Sequence, residues 1–110
     1  MIEHAKQLNQ AIRDSEEYRN YQDALAAVRS DEKLYHEMNS FRRRNYELQN
    51  FDDGINRYGE IHALRLEFDD TLRHPVVDRF LVAEQILSKT MADMYEEIAE
   101  GLELDYNYME

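Results

Sequence analysis

Four histidines and 24 carboxylates in 110 residues make metal ligation and acid–base catalysis the first chemistries to test. A di-iron helical bundle needs Glu-x-x-His on facing helices. The residues three before His4, His36, His62 and His74 are Met1, Lys33, Gly59 and Thr71, so that motif is missing. The zinc-peptidase pattern His-Glu-x-x-His fails at His36-Glu37, because Ser40 stands where the second histidine is needed. Glu32 with His36, and Asp70 with His74, are four apart and read as surface pairs worth a few tenths of a kcal/mol at most. With no cysteine in the chain, thiolate zinc sites, cysteine nucleophiles and cysteine-held iron–sulfur clusters are excluded within it. None of Ser15, Ser30, Ser40 and Ser88 sits in a G-x-S-x-G elbow, and three scattered glycines build no phosphate loop. These residues predict a protein that is not an enzyme and holds no metal or cofactor.

The charged residues carry more information. Arg42-Arg43-Arg44 is the one basic cluster. On a helix successive side chains point about 100° apart, so the three cannot make one flat basic face. They read as solvated arms pairing with nearby acids such as Glu47, or as contacts for an acidic partner. The formal charge is −11, and Asp93, Glu96, Glu97, Glu100, Glu103, Asp105 and Glu110 supply −7 of it with no Lys or Arg among them. Such a surface is repelled by a nucleic-acid duplex and by an anionic bilayer. Direct nucleic-acid binding is therefore not expected. The acidic end reads as a solvated helix face or as a docking site for a basic partner. The N-terminus lacks the apolar run of a signal peptide, and no stretch approaches the ~20 apolar residues of a membrane span. A cytoplasmic location without membrane insertion is the expectation.

The elements that position these groups are helices. Three glycines and one proline are too few breakers for an all-β chain. Ile2, Ala5, Leu8 and Ile12 form one stripe of a helix over 2–13. Ser15 before Glu16, Glu17 and Tyr18 predicts the start of a second helix over 16–29, with Ala24 admitting a close neighbour. Asp31 opens a third, about 31–52, whose Leu34, Met38, Phe41, Asn45, Leu48 and Phe51 fall near the 3.5-residue spacing of a coiled coil. Asp52-Asp53-Gly54 predicts a turn. A fourth helix follows over about 55–73, its stripe drifting at Arg65. Pro75, placed where a first-turn proline costs little, starts a fifth over about 75–101 that presents Phe80, Leu87, Met91, Met94 and Ile98. Gly101 closes it. At ~33 and ~40 Å, the third and fifth helices are long for so small a chain, which predicts that another subunit covers their excess apolar surface.

The pattern S-E-E-Y-x-x-Y-x-x-A, then Asp31, then P-V-V-x-x-F-L-x-A-E-x-x-L resembles the YlbF/YmcA/YheA family of small bacterial helical proteins. The matching positions are Ser15, Tyr18, Tyr21 and Ala24, then Pro75, Phe80, Leu81, Ala83 and Glu84. The resemblance spans about residues 2–101. It implies an all-helical homo-oligomer and a regulatory subunit that assembles with other proteins to influence mRNA processing, competence, biofilm formation and sporulation. The family usually has Asn before the proline, where this chain has His74. Some relatives hold iron–sulfur clusters on cysteines, a property that a cysteine-free chain does not share.

The expected fold is thus all-α: a five-helix bundle over residues 1–101, with two long helices forming an antiparallel coiled-coil-like core, followed by an acidic tail over 102–110. The expected function is non-catalytic regulation by protein–protein contact, as a homo-oligomer and with other regulatory proteins. The alternative is an acidic helical inhibitor that fills the basic groove of a nucleic-acid-binding protein. Interface residues are expected at Leu34, Met38, Phe41, Asn45 and Leu48 of the third helix and at Phe80, Leu87, Met91 and Met94 of the fifth. Arg42, Arg43 and Arg44 are candidate partner contacts.

Overall fold

The structure is a computed structural model, and it describes residues 1–50, 57–103 and 105. Among these residues the chain is all helical, in the order α1 (Ile2–Arg13), α2 (Glu16–Arg29), α3 (Glu32–Gln49), α4 (Tyr58–Glu67), α5 (Asp69–Arg73) and α6 (Pro75–Ala99). The expected Asp52-Asp53-Gly54 turn, Phe51 and Ile55 lie outside the described residues.

Local chemistry explains most of the boundaries. The Ser15 hydroxyl donates to the Ile12 carbonyl at 2.6 Å and accepts from the Tyr18 amide at 3.2 Å. One side chain thereby ends α1 and caps α2, satisfying orphan groups on both sides of the hinge. Asp31 repeats the cap for α3, its carboxylate accepting from the Leu34 amide at 3.1 Å. Before α6, His74 is extended at φ −64°, ψ 127° and its Nδ1 accepts from the Val76 amide at 3.2 Å, with Pro75 at the first helical position. Gly101 takes φ 79° just past the end of α6, the left-handed conformation that closes helices and that glycine adopts without a steric cost.

The fourth expected helix is two helices. The chain breaks at Phe68, φ −102° and ψ 20°, between α4 and α5. No glycine or proline causes this. Phe68 instead sets its ring against Phe41 of α3 in an edge contact, centroids 5.7 Å apart. Tertiary packing overrides helix propensity here, as it does routinely.

The core is built by three helices rather than by the two longest alone. Ala24 and Val28 of α2, Leu34 and Met38 of α3, and Val77 and Phe80 of α6 form one buried cluster, with Tyr21, Leu25, Tyr35 and Leu81 packed against it. The most extensive packing in the molecule is α6 along α2, and α3 meets α6 over a much shorter stretch. Ala24 has no exposed surface, and its small side chain is what lets the two backbones approach. Phe41 and Leu64 are buried where α3 meets α4.

The result is a slab. Its extents are 45 × 39 × 16 Å. Two helices packed at the usual 8–10 Å, each with Cα atoms about 2.3 Å from its axis, account for a thickness of roughly 13–15 Å. The radius of gyration is 17.6 Å, against about 13 Å for a compact chain of this length.

Candidate protein-interaction surface

A slab two helices thick leaves apolar side chains with nothing to cover them. They concentrate on α6. Its first half is anchored by Val77 and Phe80, both fully buried. Beyond Phe80 it has no buried residue. Val82 and Ile86 are exposed on one face of α6; Met91, Tyr95 (65% exposed) and Ile98 (59%) are exposed farther along the face that Val77 and Phe80 occupy, and Leu102 is exposed just past the helix end. A helix apolar on more than one side is normally covered on more than one side.

Where α6 leaves α2, a groove of about 540 Å³ opens between Glu16, Glu17 and Asn20 on one side and Asp78, Arg79, Val82, Ala83 and Ile86 on the other. Its floor is aliphatic and its rim is mainly acidic. Farther along, Lys89 pairs with Asp93 at 3.0 Å. After that pair only acids follow in sequence. The surface therefore combines apolar contact area with negative charge, which suits helices carrying Lys or Arg beside their apolar stripe.

The structure separates the residues that the sequence had grouped. Leu34, Met38, Phe41 and Phe80 are buried within this chain's own core. Asn45, Leu48, Leu87 and Met94 are half-buried, and Met91 is exposed. Val82, Ile86 and Tyr95 were absent from the expected set. The legible signal was that residues 76–87 are apolar at Val76, Val77, Phe80, Leu81, Val82, Ile86 and Leu87, which is more than one stripe can absorb.

The three arginines also divide. Arg42 pairs with Glu84 of α6, donates to the Asn39 side-chain oxygen at 3.0 Å and lies 5.0 Å from the centre of the Phe80 ring. Arg44 makes a two-pronged pair with Glu67 of α4, one arm at 3.1 Å, and sits 5.6 Å from the Phe68 ring centre. That hydrogen bond from Arg44 holds the Glu67 carboxyl below its usual range, and raises Arg44 in return. Arg43 is exposed and makes no ion pair among the described residues. Arg42 and Arg44 thus tie α3 to its neighbours, through acids 42 and 23 residues away rather than through Glu47.

The candidate acid–histidine pairs are not formed as such. Asp70 pairs with Arg73 at 3.4 Å, while His74 spends its Nδ1 on the α6 cap. No three carboxylate or imidazole groups converge as metal ligands among the described residues. Among the same residues, no helix is long and apolar enough to cross a membrane.

Comparison with known proteins places these features in context. The family model described as "Control of competence regulator ComK, YlbF/YmcA" matches residues 1–103. A UPF0342 protein of Caldicellulosiruptor bescii is 25% identical over 101 residues, spanning 90% of this chain and 85% of its own length. A UPF0342 protein of Caldicellulosiruptor saccharolyticus is 24% identical over 102 residues, spanning 91% and 85%. No solved structure matches the chain.

Proposed function

The chain belongs to the YlbF/YmcA family, described as controlling the competence regulator ComK, and from that premise we propose that it is a non-catalytic regulatory protein that acts by binding other proteins. It does so as a homo-oligomer that also engages other regulatory proteins, in a complex that influences mRNA processing and developmental traits. The single observation that carries this reading is the exposed apolar face of α6 at Val82 and Ile86, which lines the α2–α6 groove. Exposed apolar side chains grouped beside a groove of this kind mark protein-binding sites.

The test is affinity capture from extracts of the source organism, with three tagged forms of the chain. Wild type recovers a reproducible partner. Val82→Glu/Ile86→Glu, which puts charge into that apolar face, loses it. Glu96→Gln/Glu97→Gln/Glu100→Gln/Glu103→Gln keeps it. No partner on wild type overturns the proposal. Loss only on the glutamine form favours instead an acidic inhibitor that fills a basic groove.

A further inference from the structure

We propose that α1 is an exchanged arm: in the assembled protein the α1 of one chain lies along the C-terminal half of α6 of a second copy. This rests on the reading of the protein as a homo-oligomer and names the segment that builds the contact.

Three observations carry it. First, both partners of the contact are only partly covered in the single chain. α1 packs against α2 alone and buries none of its residues, although Ile2, Ala5, Leu8 and Ile12 form a regular stripe. The half of α6 beyond Leu87 likewise buries nothing. The two segments match in length: α1 has 12 residues, or about 18 Å at 1.5 Å per residue, and the stretch from residue 88 to the end of α6 spans about the same.

Second, the exposed surface is large for the mass of the chain. The chain exposes 9104 Å², whereas a folded 13.2 kDa protein exposes roughly 6,400 Å². Part of that excess lies on the exposed side chains of α1 and of the C-terminal half of α6, and a standard interface takes ~800 Å² from each partner.

Third, the charges fit. The end of α6 carries Glu96 and Glu97, with Glu100 just past it, and no basic residue follows Lys89. α1 carries Lys6 and Arg13 against a single acid, Glu3. The Asp14-Ser15 hinge from which α1 departs adjoins Glu16 and Glu17 on the rim of the α2–α6 groove. The arm therefore leaves from beside the helix it must reach on the other copy. A two-fold arrangement satisfies both α1–α6 contacts at once and closes the assembly.

The chain has no cysteine, so single-cysteine variants report one contact at a time. Leu8→Cys chains are refolded together with differently tagged chains carrying Leu87→Cys, Met91→Cys, Met94→Cys or Ile98→Cys. The mixture is then joined with a short bismaleimide. We expect a cross-link between the two tags for at least one α6 position. A link formed only when both cysteines sit in one chain, a Leu8–Leu8 link alone, or no link at all each overturns the proposal. As a second measurement, Leu8→Glu/Ile12→Glu should halve the mass seen by light scattering while keeping the helical circular dichroism; an unchanged mass overturns the proposal too. Neither readout depends on a foreign partner. Loss of the exchange with partner capture intact leaves the regulatory reading standing, and the reverse result sinks that reading alone.

Discussion

Arg42 of α3 holds the Glu84 carboxylate of α6 while lying over the Phe80 ring, so one side chain joins a charge pair at the edge of the core to the largest residue inside it. The two halves of this contact differ in weight. Both charged groups are about one-third exposed, and pairs of that kind contribute about 0–1 kcal/mol. Phe80 is fully buried, and its truncation leaves a cavity. We expect Glu84→Gln to cost up to about 1 kcal/mol and Phe80→Ala about 3–5 kcal/mol in urea unfolding. Equal costs would mean that the pair, rather than the ring, anchors α6.

The caps at Ser15 and Asp31 are next. Each accepts one first-turn amide, and Ser15 also closes α1. Ser15→Ala and Asp31→Ala should each cost about 1 kcal/mol, read from the midpoint of chemical denaturation. Ser15→Ala should in addition loosen the α1–α2 hinge, seen as faster amide exchange over residues 12–18 than in Asp31→Ala.

Glu67 gives a pH dependence with a defined sign. Its carboxyl lies below the usual range because Arg44 donates a hydrogen bond to the ionised form. A depressed folded value adds stability above the unfolded value of about 4.3, and that stability is lost as pH falls through the lower folded value. Wild type should therefore unfold at a higher temperature than Glu67→Gln at about pH 7, and the gap should narrow as pH falls below the unfolded value. A gap that persists in acid would mean that packing, not charge, joins α3 to α4.

His74 caps α6 through a ring nitrogen, a geometry in which Asn, among the strongest N-cap residues, should do better. His74→Asn is expected to raise stability by a few tenths of a kcal/mol, up to about 1 kcal/mol. Thermal unfolding would show it, and a lowered midpoint would mean that the imidazole has a second role.

The exposed apolar end of α6 should behave in the opposite way to its buried start. Tyr95→Glu/Ile98→Glu alters side chains that are mostly in solvent, so the isolated chain should lose less than about 0.5 kcal/mol. Its self-association by light scattering should fall sharply. A large loss of stability with association intact would place these residues in a core.

How much of this was legible in the sequence depended on range. Ser15 and Asp31 mark helix ends through bonds to residues three away, Pro75 and Gly101 through their own backbone conformation, and those ends came out within a residue or two. Ala24 was readable as a close-approach site, and α6 does pack along α2 there. The break at Phe68 was foreshadowed only by the drift at Arg65, because its cause is a ring on another helix. The partners of Arg42 and Arg44 were hidden for the same reason: Glu84 and Glu67 are far away in sequence and chosen by the fold. The expected interface positions on α3 could not be told from core positions, since an apolar seam looks the same whether its cover comes from the same chain or from another.

Eight apolar side chains are buried among the described residues. A fold specified by so few positions leaves nearly all the others free to drift, because surface changes away from caps and core usually shift stability by less than about 0.5 kcal/mol. A lineage built on this slab can thus rewrite most of its surface, and with it the proteins it meets, while keeping its shape. Relatives that align over 90% of the chain at 25% identity fit that freedom.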